Sequence, residues 1–235
     1  MNSIQTAFSA WFSKLHETFI ETEYYKMLIE GLGNTVTITV WALLIGVVIG
    51  TVIAIAKILT EDIPALKWIG WLCDVYVTVI RGIPVVVLLL IFFFVIMKTS
   101  NNGVLVAILT FGINSGAYMA ELIRGGIGAV EWGQTEAGRS LGMSKLQTMV
   151  RIVIPQAVRH ILPAVGNEFV ALLKETSVAG YVAVVDLTRA GNLIRNNTWD
   201  AVNPLMIVAL CYLVMVIVLT GLLQKLEHHL AKGNK

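Results

Sequence analysis

The sequence has 235 residues, of which 57% are apolar and only 14% charged, and its mean hydropathy is +0.78. A water-soluble domain of this length would have about a quarter of its residues charged, so this composition indicates an integral membrane protein. A formal net charge of +2 without a basic patch argues against nucleic acid as a partner. Cys73 and Cys211 lie far apart in apolar stretches, which predicts buried thiols and neither a disulfide, a metal site nor a cofactor.

Residues 1–30 are predicted to form an N-terminal segment at the outer membrane surface. Their apolar side chains recur at helical spacing, which suits a helix lying on the bilayer. Glutamates interrupt the segment, so we expect no cleaved signal peptide. The apolar positions are Trp11, Phe12, Leu15, Phe19 and Ile20, and the glutamates are Glu17, Glu21, Glu23 and Glu30.

Five later stretches are long enough to cross a bilayer, which requires about 20 mostly apolar residues in a helix. The sequence therefore predicts an all-α membrane protein with about five transmembrane helices in a single domain at 31–227. The second stretch contains Arg81 and Pro84, and Pro84 is expected to bend it. The fourth contains several polar residues, Glu168 among them. The predicted spans are 32–56, 75–97, 103–120, 152–173 and 201–223.

The distribution of Lys and Arg predicts the orientation of these spans. With the N-terminus outside and the C-terminus inside, most of the basic residues fall in the inner segments, as cytoplasmic loops prefer. The connection at about 121–151 and the tail at 228–235 are then cytoplasmic. That connection is long for a simple link between helices, which indicates a functional role.

The long connection contains signals for two short helices. Residues 134–141 are predicted to form the first, Gly142 to break it, and Ser144 to cap the second. Pro155 is expected to end or kink that second helix. Two interpretations remain open, a docking surface for another protein and an amphipathic connector on the lipid headgroups.

The spacing of residues in this connection resembles a known signature. Glu136-Ala137-Gly138, three residues, Gly142, nine residues, Ile152, one residue and Ile154-Pro155 are similar to the EAA motif of ABC importer permeases. Gly138 stands where the motif has its second alanine, and Ile154 where it has leucine. Further segments at 79–87, 117–127, 155–177 and 184–194 look like the polar amino-acid uptake branch. The resemblance covers about 28–227.

This resemblance implies the fold and the working partners of the chain. It implies a type I ABC importer permease, a multi-pass protein of the bacterial inner membrane that imports polar amino acids by alternating access. Partners would be ABC ATPase subunits, a second permease subunit that is identical or homologous, a periplasmic or extracellular solute-binding protein, the amino acid and membrane lipid. The residues implied in ATPase coupling are Glu136, Ala137, Gly138, Arg139, Ser140, Leu141 and Gly142.

The chain itself is not expected to be an enzyme. Residues 133–140 read GQTEAGRS, one residue from a phosphate-binding loop, but Arg139 replaces the lysine and no buried strand precedes them. ATP hydrolysis is therefore expected on a separate subunit. A self-contained secondary transporter is the alternative function, although such proteins usually show inverted repeats, which the sequence lacks. A membrane enzyme would need a catalytic cluster at membrane depth, which the sequence also lacks.

Polar residues within the predicted spans are the candidates for a substrate path. An ionisable group at membrane depth is costly, so Glu168 is interpreted as a partner of the substrate's α-ammonium group. The alternative is a structural ion pair with Arg81 or Arg159. Asn114 and Tyr118 share a helical face and either line the same path or hold helices together. The full predicted path is Glu168, Asn167, Asn114, Ser115 and Tyr118.

The predicted outer segment before the last span contains Asp186, Arg189 and Arg195. They are interpreted either as part of a docking surface for a binding protein or as the polar face of a surface helix. The sequence does not decide between the two.

Overall fold

The computed structural model describes residue 13 and residues 16–232 of the chain, and its described part is helical with no strand. Three predicted interfacial residues, Trp11, Phe12 and Leu15, lie outside the described residues. The first half consists of a π-helix (Glu17–Glu21), α1 (Tyr24–Asp62), a 3-10 turn (Pro64–Leu66), α2 (Lys67–Gly82), α3 (Val85–Ile91) with a π-helical continuation (Phe92–Ile96), and α4 (Gly103–Gly128). The second half consists of α5 (Trp132–Ser140), α6 (Lys145–Thr148), a π-helix (Met149–Val153), α7 (Ile154–Glu175), a 3-10 helix (Thr176–Val182), α8 (Leu187–Thr198) and α9 (Asn203–Lys232).

Helices correspond to the first, third and fifth predicted spans, and all three continue beyond the predicted C-terminal ends. Within the described residues, Tyr24–Thr60, Gly103–Gly128 and Asn203–His228 are long and apolar enough to cross a membrane. α1 begins at Tyr24 and so contains the end of the predicted 1–30 segment. α9 reaches Lys232, inside the predicted tail.

The second predicted span, 75–97, is divided at Pro84 into two helices. Residues 64–82 and 85–96 form two helices bent by 104° at the break between them. Ile83 is extended, with φ −99° and ψ 129°, because the ring of Pro84 excludes the helical conformation from the preceding residue. Pro84 therefore separates two helices instead of bending one.

The fourth predicted span corresponds to α7, which is an amphipathic helix. Its 22 residues make it about 33 Å long at 1.5 Å per residue, but it is not among the helices apolar enough to count as spans. Pro155 neither ends nor interrupts it, because helical residues continue from 145 to 175. Pro155 instead occupies the first turn of α7, where a missing N–H is tolerated.

α1 and α4 pack closely because glycines line their contact. A Cβ atom added to Gly46 would lie 2.8 Å from the Ser115 side chain, and one added to Gly112 would lie 2.7 Å from Ile45. Small residues allow such close approach of membrane helices. The main core joins α1, α3, α4, α7 and the following 3-10 helix, and it contains Ile38, Ala42, Leu89, Ala107, Phe111, Leu172, Ala179, Val182 and Val184.

The start of α8 is fixed to α1 by hydrogen bonds. Asn34 Nδ2 donates to the Val185 carbonyl at 2.9 Å, and the Leu187 N–H donates to Thr35 Oγ1 at 3.1 Å. Asp186 is fully buried and accepts from the backbone N–H groups of Thr188 and Arg189. Burial raises the pKa of the Asp186 carboxyl, although these hydrogen bonds act in the opposite direction. Asp186 is thus a helix cap, and its suggested place on a docking surface was wrong.

Candidate functional site

The predicted functional connection begins within a helix. α4 continues to Gly128, so Glu121 and Arg124 lie on its last turns, where Arg124 Nη2 donates to Glu121 Oε2 at 2.9 Å. The predicted connection at about 121–151 therefore includes the last turns of α4. We call residues 129–148 the coupling loop. The side of the molecule at which α4 ends and this loop begins is called the loop side.

The first helix of the coupling loop ends in a glycine turn, as predicted. α5 spans Trp132–Ser140, and the Met143 N–H donates to the Gly138 carbonyl at 3.1 Å while the Gly142 N–H donates to the Arg139 carbonyl at 3.0 Å. These two bonds form a Schellman motif, which requires a left-handed residue after the helix. Gly142 supplies it with φ +79°, a conformation that glycine adopts without steric cost.

The second helix of the coupling loop is capped by Ser144, which confirms that prediction. Ser144 Oγ accepts from the Gln147 N–H at 3.2 Å, and Gln147 Oε1 accepts from the Ser144 N–H at 2.9 Å. This reciprocal pair is a capping box, which satisfies two backbone donors at the helix start. The elbow therefore has a fixed shape on both sides of Gly142.

We expect Ser144→Ala to destabilise the start of α6 by about 1 kcal/mol, because it removes the oxygen that accepts from the Gln147 N–H. Hydrogen exchange at that amide should become roughly fivefold faster, since about 1 kcal/mol corresponds to that factor. Ser144→Thr retains the oxygen and should exchange nearly as slowly as the natural chain. Equal exchange rates in all three proteins would show that the capping box does not hold the elbow.

Gly138 holds the two helices of the elbow together. It is buried, and a Cβ atom at this position would lie 2.8 Å from both Thr148 Cγ2 and Ile152 Cδ1. The missing side chain lets α5 pack directly on α6 and the π-helix that follows it. Gly138, which stands where the motif has its second alanine, therefore allows the two helices to pack closely.

The outer surface of the coupling loop is apolar and uncovered. Leu141 is 82% exposed, and Trp132 and Leu146 are each 71% exposed. Trp132 Nε1 donates to Glu136 Oε1 at 3.0 Å, so its ring is held on the surface by one of the predicted coupling residues. Large exposed apolar side chains beside charged ones are typical of a protein-docking surface. The remaining predicted coupling residues Ala137, Arg139 and Ser140 are also exposed.

The predicted substrate path is brought together in part, at a contact between α4 and α7. Ser115 Oγ donates to Glu168 Oε1 at 3.0 Å. Ser115 is fully buried and Asn114 is 3% exposed, whereas Glu168 is half-buried and its neighbour Asn167 is exposed. The carboxylate therefore lies between the protein interior and an open face of α7.

Tyr118 lies with a different group of residues. The Arg81 guanidinium stacks 5.1 Å from the centre of the Tyr118 ring, and Arg81 Nη1 is 3.9 Å from Glu121 Oε2. Arg81 thus interacts with Tyr118 and Glu121 and not with Glu168, and the suggested structural pair between Arg81 and Glu168 was wrong.

Sequence reasoning also missed Tyr76, whose hydroxyl donates to the Ile113 carbonyl at 2.6 Å. The sequence feature that could have identified Tyr76 is a single phenol group in a largely apolar stretch.

Comparison with known sequences identifies similar proteins over most of the chain. A family model described as "Binding-protein-dependent transport system inner membrane component" matches residues 46–232. The glutamine transport system permease protein GlnP of Escherichia coli K12 is 34% identical over 212 residues, which cover 87% of this chain and 93% of the relative. The arginine transport system permease protein ArtQ of Bacillus subtilis 168 is 32% identical over 210 residues, covering 88% and 94%.

Two solved structures have a similar fold. A crystal structure of an amino acid ABC transporter with histidines superimposes with a TM-score of 0.81 at 37% identity, covering 89% of this chain and 96% of the other. An inward-facing MetNI methionine ABC transporter superimposes with a TM-score of 0.74 at 18% identity, covering 88% and 97%. The second match shows a common fold alone.

Proposed function

This chain belongs to the family of binding-protein-dependent transport system inner membrane components, and we propose that it is the membrane subunit of an ATP-driven importer of polar amino acids. It is an inner-membrane protein with the fold of an ABC importer permease. The coupling loop carries the proposal, because a rigid elbow with uncovered Leu141 and Leu146 suits docking to a partner protein. An amphipathic connector on lipid would not need the two exact helix ends that the capping box and the Schellman motif supply.

The coupling loop is attached directly to both helices of the polar contact. α4 carries Ser115 and ends at Gly128, about 20 Å further along the helix at 1.5 Å per residue. α7 carries Glu168 and follows the loop through unbroken helical residues. Because helices transmit displacement along their axes with little compression, movement of the loop moves both Ser115 and Glu168. Nucleotide-driven movement of a partner ATPase would thus change the surroundings of the carboxylate.

Glu168 suits the recognition of an amino acid through its ammonium group. It is half-buried, has Ser115 as a hydrogen-bond donor and has no pairing with Arg81 to neutralise it. A carboxylate with free acceptor capacity in a partly dry site binds a primary ammonium well. Relatives named for glutamine and arginine transport support a polar amino acid as the solute. Asn167, exposed on the same helix, would lie toward a second permease subunit.

Purification of the tagged chain from its native membrane tests the proposed assembly. We expect an ABC ATPase to co-purify with it in a stoichiometric complex, because ATP hydrolysis is assigned to that subunit. The coupling-loop variant Leu141→Asp should lose the ATPase while the chain stays in the membrane, since a charge would replace an 82% exposed leucine at the proposed contact. Solute accumulation by the chain alone, without ATP, would instead support a secondary transporter.

Cysteine labelling tests the orientation of the helices. We expect Asn101→Cys and Gly133→Cys to react from opposite sides of the membrane, in a background with Cys73 and Cys211 replaced. Both positions are exposed, and α4 with its 26 residues separates them by about 39 Å. Both substitutions leave the helix caps at Asn102 and Ser144 intact. Reaction of Gly133→Cys with an impermeant reagent in intact cells would reverse the orientation and sink the docking role of the loop.

A further inference from the structure

α2 presents an uncovered apolar face that the transport mechanism does not use. Trp68 and Trp71 are 61% and 63% exposed, and the exposed apolar residues recur at the spacing of one helical face. The opposite face packs on the protein through the buried Val77. We call the exposed set the tryptophan stripe, and its members are Trp68, Trp71, Leu72, Val75 and Val79.

α2 stays near the loop side of α1. A Cβ atom on Gly70 would lie 2.8 Å from Thr60 Oγ1, and Asp74 forms an ion pair with Lys57. Both contacts on α1 lie within its last six residues. α2 is therefore attached to the loop-side end of the long first helix.

The C-terminal end of α2 also meets the loop-side part of a neighbouring helix. Arg81 stacks on Tyr118 and lies 3.9 Å from Glu121, both in the second half of α4. α3 behaves differently, because its Leu89 belongs to the core formed with Ile38, which lies in the first half of α1. The bend of 104° between the two helices turns α2 away from the direction of α3.

The charges next to the tryptophan stripe define a polar edge. Exposed Lys67, Asp74, Thr78 and Arg81 lie on the helix side next to the stripe. A helix with a polar edge, an apolar face and tryptophans is typical of the membrane–water interface. Asp74 and Arg81 are already paired with Lys57 and Glu121, so attraction to anionic headgroups is not needed to hold α2 there.

We propose that α2 lies in the bilayer interface on the loop side, with the tryptophan stripe docked against the acyl chains and headgroups of phospholipid. Its occupant is lipid and not a second protein, because the stripe and its polar edge match the two layers of that interface. Residues 67–82 then do not cross the hydrocarbon core. The Arg81–Glu121 contact connects this lipid-bound helix to α4, which leads into the coupling loop.

Depth measurements on the full-length chain in phosphatidylcholine nanodiscs test the proposal. Single spin labels at Trp68, Leu72, Val75 and Val79, in a background without Cys73 and Cys211, report collisions with lipid-soluble oxygen and with a water-soluble nickel chelate. Positions 68 and 79 are separated by about 16 Å along the helix at 1.5 Å per residue. We expect their depths to differ by less than about 8 Å, half of that axial separation.

Matched labels on α1 calibrate the measurement. Val40 and Ile55 are both exposed on a helix that qualifies as a membrane span, and their depths should differ by most of the about 22 Å between them. If a label at position 68 prevents membrane insertion, labels at Leu72 and Val79 still report the depth of α2, because both tryptophans are then retained. A depth change along α2 as steep as that along α1 would overturn the proposal. Low collision with both reagents would also overturn it, because a protein surface would then cover the stripe.

Discussion

Gly142→Asp is expected to abolish transport while leaving the chain inserted in the membrane. Gly142 has φ +79° and no atom within 4 Å of an added Cβ, so the new side chain projects from the elbow without a clash inside the chain. The left-handed conformation costs a residue with a side chain about 1–2 kcal/mol. The carboxylate is the larger effect, because it would have to be desolvated beside exposed Leu141 and Leu146 when the loop docks, at a cost of several kcal/mol.

Gly142→Asn is the matched control for this variant. Asparagine has nearly the same shape as aspartate and tolerates the left-handed conformation, but it has no charge. In proteoliposomes containing the partner subunits, we expect Gly142→Asn to keep a substantial part of the natural uptake rate. Gly142→Asp should show background uptake, with the ATPase lost or hydrolysing without solute control. If Gly142→Asp took up solute at the rate of the natural chain, the coupling loop would not transmit the ATPase movement.

Glu168→Gln is expected to weaken solute recognition with little change in assembly. Glutamine keeps the size of the side chain and can still accept from Ser115 Oγ, which lies 3.0 Å from the natural carboxylate, but it removes the negative charge. A charge-assisted hydrogen bond contributes about 1.5–3 kcal/mol, so the solute concentration for half-maximal uptake should rise roughly tenfold to a hundredfold. Co-purification with the ATPase should not change.

Ser115→Ala separates recognition from stability at this site. It removes the hydroxyl donor to Glu168 but retains the charge, so we expect uptake affinity to fall less than in Glu168→Gln. Uptake affinity and melting temperature are measured on the same preparation of each variant. Unchanged affinity with a lower melting temperature in Glu168→Gln would place this carboxylate in the scaffold and not in the solute path.

The local structure of the coupling loop could be predicted from the sequence. Ser144 and Gly142 act through hydrogen bonds to backbone groups within five residues, and such caps have the same meaning in most proteins. The end of α4 could not be predicted in this way. Because Glu121 and Arg124 are charged, they suggest in the sequence that the helix ends there. In the structure they form an ion pair one helical turn apart within α4. Close packing of Gly126 against Ile161 keeps this part of α4 helical beyond the apolar span.

Long-range contacts explain the remaining differences. The prediction that Pro84 disturbs the second span was sound, but the 104° angle depends on how α2 and α3 pack on different parts of α1. The partner of Glu168 is Ser115, 53 residues away in the chain, and no spacing rule connects such positions. The sequence suggested arginine partners because charge is visible in composition, whereas the packing of α4 on α7 is not.

Uptake by the reconstituted complex tests the central claim most directly. The chain is assembled in liposomes with its ATPase and binding protein, and radiolabelled polar amino acids are supplied on the side of the binding protein. We predict accumulation against a gradient that requires ATP, the ATPase and the binding protein together, and that stops when Gly142→Asp replaces the natural chain. Accumulation by the chain alone, driven by an ion gradient without ATP, would contradict the assignment.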